Sequence, residues 1–554
     1  MRSAAARPYY SGDVADEMTA ASGNPTPPAA SPLGRRVAIN TAIFAIATAL
    51  SRVAGLIREI VAASYFGTSP AASAFTIASQ IPNLMANLFA QAALSAAFVP
   101  VFTDLLQQGR KREAFKLAST MFWIILIALG AITALGMVLA GVVLPTFSGQ
   151  HFEGSVAATL TQIMFPVVLV LGLTGMLVGI LQSYDEFSIP ALAPVAWNLV
   201  ILVLLIVLHK QLRPHIEAYA IAWLVATFVQ LALVGWALRR IDFRLRFEFD
   251  WRDPRIRQVF TLMLPVTIGL GIVNLDSLIN STFGALVTVQ GPRAIQLAFL
   301  IYMLPQGIFS VAVSTVLFPT LSRQAARRAP GEMRRTLGNG MRQINLLLIP
   351  CAAGLMVLAA PIVRLVFQHG SFSPTSTHLT SIALFWFAWS LPFAGLNLLL
   401  TRTFFALQRP WIPTKLAGLN MIVDVIVSLA LYKPLGLAGL VIGTAAANIV
   451  MVALQYRRMR TGFNSRLEGG QTLMITLRIL IASAITAAVA RGVWGLLNGA
   501  LGTSVPGQLV SVGVAVLVAA ALYAWLTLVM RIPEARQIEQ LVAGRLRLAR
   551  LSAR

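Results

Sequence analysis

Two arginines and a glutamate interrupt an apolar stretch that covers residues 37–66. The run from Ser51 to Glu59 reads SRVAGLIRE, with the arginines at Arg52 and Arg58. An arginine at the centre of a membrane helix costs at least about 3 kcal/mol, so a chain keeps it where it faces a wet cavity, a partner or an anionic substrate. The charged run therefore predicts a pathway through a membrane.

Two interpretations of these charges follow from their spacing. Arg52 and Glu59 share one helix face, and Arg58 lies roughly 120° around the helix. In the first interpretation Arg52 pairs with a neighbouring helix, while Arg58 and Glu59 extend to the interface. In the second, the guanidinium groups bind a phosphate through planar bidentate hydrogen bonds. We predict the second for Arg52 and Arg58, with Ser51 and Glu59 lining the same cavity.

Polar side chains at helical spacing form two further stripes. Steps of three or four residues place five of them on one face of the predicted second span: Gln80, Asn83, Asn87, Gln91 and Ser95. The predicted eighth span carries a similar stripe: Gln306, Ser310 and Ser314. Amides that face lipid are costly, so each stripe makes interhelical hydrogen bonds or lines a cavity. We predict that two lobes present these stripes to one central cavity.

The predicted seventh span holds an acidic group inside an apolar run. Asp276 lies there with Asn274 and Asn280, and we predict that all three line the cavity. Asp276 either couples transport to an ion or a proton or pairs with an arginine, and the sequence leaves both open. Arg402 and Asp424, in later spans, are predicted to form a structural ion pair.

The composition is typical of a membrane protein. The 554 residues are 57% hydrophobic and 11% charged, whereas soluble chains carry about 25% charged residues. The net charge of +23 comes from short basic loops between apolar spans, which favours membrane topology and anionic lipids over nucleic acid. The single cysteine, Cys351, excludes an internal disulfide framework. We find no nucleotide-binding, metalloprotease or hydrolase motif, and we expect no cofactor; the driving ion or potential is not identified.

Fourteen spans are long enough to cross a bilayer. They cover residues 38–65, 71–104, 115–146, 156–184, 189–208, 216–238, 258–285, 293–322, 338–368, 379–408, 412–432, 437–456, 472–497 and 507–530. Alternate loops, with their flanks, hold 22 lysines and arginines, against 4 in the opposite loops. This asymmetry predicts that the basic loops and both termini are cytoplasmic.

Matched prolines indicate an internal duplication. Pro166 and Pro392 are 226 residues apart, and Pro82 and Pro305 are 223 apart. An offset of six spans gives both halves the same orientation, as in parallel repeats. The predicted fold is therefore an all-α membrane protein with two six-helix lobes and two extra helices. The boundaries are a disordered tail (1–36), an N-lobe (37–240), a basic linker (241–257), a C-lobe (258–460), helices 13–14 (461–531) and a basic tail (532–554).

Several motifs resemble those of the MurJ (MviN) lipid II flippases, in the multidrug/oligosaccharidyl-lipid/polysaccharide exporter superfamily. They are SRVAGLIR (51–58), IPNL (81–84), AFVP (97–100), LPQG (304–307), LFPTLS (317–322) and FFALQ (404–408). The resemblance implies two lobes around a cationic cavity and a lipid-facing groove beside the last two helices. It also implies alternating access that moves an undecaprenyl-pyrophosphate-linked peptidoglycan precursor outward, with Arg52 and Arg58 as pyrophosphate contacts.

Some positions depart from the family pattern. Many members carry charged residues where this chain has Ser73, Asn87, Gln91 and, in the eighth helix, Leu300. The expected cavity is therefore less charged and richer in amides. The alternatives are a flippase for another polyprenyl-linked glycan and a drug or cation antiporter, and the cationic first helix disfavours the antiporter. A glycosyltransferase that uses lipid-linked sugars would need a substantial outer loop, and no loop is long enough. A scaffold protein without transport activity would not explain the arginines.

The resemblance also implies a setting for the protein. We expect a multi-pass protein of the bacterial inner membrane. Its partners would be a lipid-linked oligosaccharide, membrane lipids that are anionic on the cytoplasmic side, and the peptidoglycan synthesis machinery.

Overall fold

Helices occupy every predicted span in a computed structural model of the chain. The structure describes residues 32–89, 92–147, 154–211, 216–241, 243–463 and 469–536, and no strand occurs within them. The predicted all-α class is therefore confirmed. Most of the two predicted tails lies outside the described residues, and the first helix begins at Pro32.

Nine α-helices lie in the described part of the first half of the chain. They are α1 (Pro32–Phe66), α2 (Pro70–Phe89), α3 (Ala92–Gln107), α4 (Lys111–Val143), α5 (Gly154–Met164), α6 (Pro166–Ser183), α7 (Ser188–Gln211), α8 (Glu217–Ala237) and α9 (Pro254–Val287).

Nine more helices follow in the second half of the described chain. They are α10 (Gly291–Pro305), α11 (Val311–Ala326), α12 (Pro330–Val357), α13 (Ala359–Phe367), α14 (Pro374–Ala406), α15 (Trp411–Leu435), α16 (Leu437–Gly462), α17 (Gly469–Leu501) and α18 (Val505–Val529).

Prolines account for several interruptions of these helices. Proline lacks an N–H donor and its ring clashes with the preceding turn. Pro166 begins α6 directly after α5, so one predicted span becomes two helices. Pro305 ends α10, and a five-residue π-helical turn, Gln306–Ser310, joins it to α11. Such π-turns are often found at functional sites.

Eleven helical segments among the described residues are long and apolar enough to cross a membrane. They coincide with eleven of the fourteen predicted spans. The other three predicted spans, 38–65, 71–104 and 258–285, are helical but are not among the eleven. The count of fourteen stays a prediction.

The chain divides into two compact units. The N-terminal unit comprises described residues 32–293 and 369–376, and the C-terminal unit comprises 294–368 and 377–536. In the N-terminal unit one apolar cluster includes Phe75 and Tyr219, and a second includes Phe98 and Met121. Helix α9 packs on α2 and α3 in this unit, although the predicted boundary assigns it to the second lobe. The predicted lobes and tails stay predictions.

The C-terminal unit is built on long helices that pack along one another. Helix α15 packs along α16, α17 along α18, and α12 along both α11 and α17. Ile475 and Ile479 of α17 pack with Leu346 and Ile349 of α12 and with Ile532, which follows α18. Burying Ile532 fixes the chain that leaves α18 against the body of this unit.

Candidate functional site

Arg58 is held inside the N-terminal unit by its own side-chain partners. Its Nη2 donates to Glu59 Oε1 at 2.7 Å, and its Nη1 donates to Asn198 Oδ1 of α7 at 3.0 Å. Arg58 is only 9% exposed and Glu59 only 6%. A buried charge needs paired and hydrogen-bonded surroundings, and these contacts provide them for the guanidinium of Arg58.

A second buried arginine completes this group. Arg293, in the first turn of α10, is 2% exposed, and its Nη2 lies 2.9 Å from Glu59 Oε2. Tyr219 of α8 donates its hydroxyl to Glu59 Oε1 at 3.1 Å. We call Arg58, Glu59, Asn198, Tyr219 and Arg293 the arginine cluster. Its two guanidinium groups share one carboxylate, so these side chains carry a net positive charge.

Aromatic rings hold the cluster in place. The guanidinium carbon of Arg58 lies 4.9 Å from the ring centroid of Trp197 and 5.6 Å from that of Trp223. Both distances fit cation–π contacts, which strengthen when the cation is desolvated. The Tyr219 ring stacks on Phe75 at 4.4 Å, which orients its hydroxyl towards Glu59. The cluster therefore rests on the tryptophans of α7 and α8 and on α2.

Arg52 has a different environment on the same helix. It is exposed, and it makes no hydrogen bond or ion pair with any residue that the structure describes. Its neighbour Ser51 is partly buried and accepts hydrogen bonds from Asn198 Nδ2 at 3.3 Å, through both its carbonyl and its hydroxyl oxygen. Asn198 therefore connects the turn beside Arg52 to Arg58.

The end of α1 is fastened by residues 369–376 of the same unit. Ser371 N donates to Ser64 O at 2.8 Å, and the Thr68 and Ser376 hydroxyls are 2.7 Å apart. Gly67 and Gly370 have positive φ values of 56° and 58°, and a Cβ on either would collide with the facing backbone. The two glycines allow this close approach, which fixes the end of the helix that carries the site.

Arg293 is a buried residue that the sequence analysis missed. The sequence analysis counted it among the four charges of the outer loops, beside the Gly291-Pro292 turn. The structure corrects this expectation, because α10 begins at Gly291 and buries Arg293 against Glu59. The sequence did contain a signal for this, because helices favour proline at their first position, and Gly291-Pro292 could have been read as a helix start.

The polar stripe of the second span is described only in part. Gln80 and Asn83 lie on α2 and are partly buried, and Gln80 is hydrogen-bonded or otherwise engaged. On α9, Asn280 is partly buried and also has a polar partner. The other residues predicted to line the cavity have side chains outside the described part of the structure: Asn87, Gln91, Ser95, Asn274 and Asp276. Their predicted contact with a cavity stays a prediction.

The stripe of the eighth span belongs to the C-terminal unit. Gln306 begins the π-helical turn and is partly buried, whereas Ser310 and Ser314 are fully buried. Gly395 of α14 packs so close that a Cβ there would lie 2.8 Å from the Ser310 hydroxyl. Ser310 is therefore covered by α14 of its own unit, and the predicted role of both serines in lining a cavity stays a prediction.

The predicted ion pair of Arg402 and Asp424 is wrong. Arg402 Nη1 donates to Thr315 Oγ1 at 2.8 Å, and Asp424 accepts from Ser428 at 3.1 Å and from Thr444 at 3.4 Å. Gly443 lets α16 approach α15 at this point, because a Cβ there would lie 2.8 Å from Asp424 Oδ1. Hydroxyl groups from the close helix pair therefore take the place of the expected arginine.

An apolar cavity of about 380 Å³ lies within the C-terminal unit. It is bordered by α12, α17 and α18, with Pro305 and Phe309 at the π-helical turn. Its walls are almost entirely aliphatic or aromatic, including Leu346, Val516 and Tyr523. Such walls suit a hydrocarbon chain. Within the described residues, no group of three or more metal-ligating side chains was found.

Comparison with known proteins identifies the family. The family model of the lipid II flippase MurJ matches residues 62–514. The chain belongs to the MurJ lipid II flippase family. The predicted resemblance is confirmed, and it makes the chain a membrane transporter rather than an enzyme. Membership, together with the many apolar helices, assigns a multi-pass protein of the inner membrane.

Individual relatives agree with this assignment. A probable lipid II flippase MurJ from Rhizobium meliloti (strain 1021) is 30% identical over 453 residues, which is 80% of this chain and 84% of that protein. The lipid II flippase MurJ of Burkholderia cenocepacia is 29% identical over 424 residues, 74% of this chain and 82% of its own length.

Solved structures show the same fold. The chain resembles a lipid II flippase MurJ in an inward closed conformation, with a TM-score of 0.73, 22% identity and coverage of 88% of this chain and 99% of the other. An inward-facing multidrug MATE transporter of the MOP superfamily gives a TM-score of 0.63 at 16% identity, covering 76% and 95%. Both neighbours are consistent with the predicted superfamily.

Proposed function

We propose that this chain moves lipid II, an undecaprenyl-pyrophosphate-linked sugar-peptide, from the inner to the outer leaflet by alternating access. The observation that carries the proposal is the pairing, on one helix, of an exposed arginine that has no partner among the described residues with a buried, net positive cluster. A pyrophosphate is the part of lipid II that such a surface recognises, because one guanidinium group can donate two parallel hydrogen bonds to phosphate oxygens.

Arg52 is the proposed first contact of the pyrophosphate. Its guanidinium is exposed and makes no hydrogen bond or ion pair with the described part of the chain, so it can bind an anion without first breaking an internal bond. Ser51, beside it, already accepts from Asn198. Substrate binding at Arg52 therefore acts on a turn that is hydrogen-bonded to the arginine cluster.

Arg58 is the proposed second contact, and it requires an exchange of partners. Glu59 and Asn198 now occupy its Nη2 and Nη1 groups. A pyrophosphate carries more negative charge than one carboxylate and can replace Glu59 as an acceptor. Arg293 remains beside Glu59 at 2.9 Å, so the released carboxylate keeps a cationic partner. The exchange links binding to a rearrangement at the end of α1.

The rest of the substrate has its own proposed contacts. The sugar-peptide headgroup would use the polar stripe of α2, where Gln80 and Asn83 lie. The polyprenyl tail would use the apolar cavity beside α17 and α18, because its walls offer dispersion contacts and no charge. The headgroup contact belongs to the N-terminal unit and the tail contact to the C-terminal unit.

The loop charges support an orientation for this movement. With the basic loops on the inside, both termini are cytoplasmic and the lipid-linked precursor enters from the cytoplasmic leaflet. Peptidoglycan synthases that consume the outward-facing precursor are the proposed downstream partners.

Rescue of cells depleted of their own lipid II flippase tests the proposal. We expect the chain to restore growth and lipid II in the outer leaflet, measured by labelling or cleavage from outside. Good expression without restored outer-leaflet lipid II would contradict the proposal. Restored export of a different polyprenyl-linked glycan in the matching depletion strain would then favour the other-glycan flippase.

A further inference from the structure

An extended segment between α8 and α9 alternates apolar and charged residues. Residues 243–252 read FRLRFEFDWR, and we call them the linker strap. Successive side chains of an extended segment point to opposite sides. Up to residue 250, one side of the strap therefore presents Phe243, Leu245, Phe247 and Phe249, and the charged residues lie on the other side, where Arg246 and Glu248 are 3.8 Å apart. Trp251 and Arg252 continue the sequence pattern into a turn.

The apolar side of the strap is largely uncovered in the N-terminal unit. Phe247 is 84% exposed, Trp251 65% and Phe249 52%. Only Phe243 is buried, with its ring 5.3 Å from that of Phe115. Contiguous exposed apolar surface of this kind marks a protein, ligand or membrane contact.

Helix α4 supplies hydrogen bonds to the backbone of the strap. Arg246 N donates to Ser119 Oγ at 3.0 Å, and Arg246 O accepts from Trp123 Nε1 at 3.1 Å. Thr120 Oγ1 donates to Glu248 O at 3.2 Å. Backbone near hydrocarbon needs partners for its polar groups, and three polar side chains of α4 supply partners for three of them here.

The strap reaches a definite depth along α4. Near its end, Asp250 Oδ2 accepts from Lys116 Nζ at 2.7 Å, which marks the charged end of α4. At its tip, Phe247 packs edge-on against Trp123 at 4.8 Å. Trp123 is seven residues beyond Lys116, or about 10 Å along the helix. The exposed apolar surface of α4 begins just past this level, at Ile127.

We propose that the linker strap is embedded in the interface of the bilayer, with acidic phospholipids as its ligands. Phe247, Phe249 and Trp251 enter the boundary between headgroups and acyl chains, as interfacial aromatic residues do. Arg244 and Arg252 bind the phosphates of anionic headgroups. The exposed apolar residues of the strap continue directly into the exposed apolar surface of α4, so the same lipid should cover both. The charge-derived orientation assigns it to the cytoplasmic leaflet.

Site-directed spin labelling tests the strap directly, because the chain has one cysteine. In a Cys351→Ser background, we place labels at Phe247→Cys and Phe249→Cys on the apolar side. Arg246→Cys and Glu248→Cys on the charged side are the matched controls, because neither is a proposed lipid contact. The protein is reconstituted in nanodiscs of phosphatidylethanolamine and phosphatidylglycerol, and collisions with oxygen and with a water-soluble nickel chelate are compared.

The expected result is an alternation along the strap. The ratio of oxygen to nickel collisions at 247 and 249 should exceed that at 246 and 248 by about threefold or more. Replacing phosphatidylglycerol with phosphatidylcholine should lower the ratio at 247 by weakening the arginine contacts. Four labels that are equally accessible to nickel would overturn the proposal. Protection at 247 only after addition of a cell extract would also overturn it, in favour of a protein partner.

Discussion

Arg52 and Arg58 lie less than two turns apart on α1, yet their surroundings are opposite. Arg58 is buried, makes two side-chain hydrogen bonds and contacts two tryptophans. Arg52 is exposed and makes no such bond with the described residues. A membrane helix keeps a charge when a partner compensates it or when a ligand needs it. The comparison therefore assigns the two arginines different tasks in the resting protein.

The difference also separates stability from recognition. Removing Glu59 leaves two buried guanidinium groups without a counter-charge, and removing either arginine takes a partner from the buried carboxylate, both of which are costly. Removing Arg52 breaks no bond seen in the described structure. The predictions below test this separation, from the largest expected effect to the smallest.

The largest effect should follow loss of Arg293. Arg293→Ala takes one of two cationic partners from buried Glu59 and empties a fully buried site, and we expect a loss of about 2–5 kcal/mol of stability. Thermal unfolding in detergent measures it as a large fall in melting temperature. Arg293→Lys keeps a positive charge beside Glu59 and should recover part of the loss. A single variant as stable as the wild type would contradict the assignment.

An intermediate effect is expected at the residue that connects the two arginines. Asn198→Ala removes the acceptor of Arg58 Nη1 and the donor to Ser51. The free energy of unfolding should fall by about 1–3 kcal/mol. Substrate should also change the amide hydrogen exchange of α1 less than in the wild type. Unfolding curves and amide hydrogen exchange of residues 51–59 check this, and unchanged exchange there would show that Asn198 does not couple the two turns.

A smaller effect is expected at Tyr219. Tyr219→Phe removes the hydroxyl that donates to Glu59 at 3.1 Å and keeps the ring that stacks on Phe75. One hydrogen bond to a carboxylate that retains both arginines is worth about 1 kcal/mol. The melting temperature should fall slightly. A loss as large as that of Arg293→Ala would mean that Tyr219, rather than the second arginine, carries the cluster.

The smallest effect concerns the exposed charges of the linker strap. The hydrogen bond from Lys116 lowers the pKa of Asp250 below its usual value. A carboxylate with a lowered folded-state pKa stabilises its contact above its unfolded pKa and loses that effect as the pH falls through the lowered value. A spin label at Phe249→Cys should therefore gain mobility only in acid. Asp250→Asn should show the mobile state at neutral pH, and pH-independent mobility in the parent protein would contradict the link.

Helix positions and family membership could be predicted from the sequence, because apolar runs and loop charges are local patterns. The partners of the charged residues could not. Arg293 meets Glu59 from 234 residues away, and no local pattern reports such a contact. Asp424 was paired with the wrong residue for the same reason, since the close approach at Gly443 decides its partners. The burial of Ser310 likewise depends on Gly395 in another helix.

The central claim is that Arg52 binds the pyrophosphate while the arginine cluster holds the helix. Lipid II binding to purified wild type and Arg52→Ala tests it, with melting temperatures measured on the same samples. Arg491→Ala, which removes another exposed helix arginine, is the matched control. We predict that Arg52→Ala binds about tenfold more weakly or worse, with an unchanged melting temperature, and that the control binds normally. Wild-type binding by Arg52→Ala, or a fall in stability as large as that of Arg293→Ala, would contradict the account.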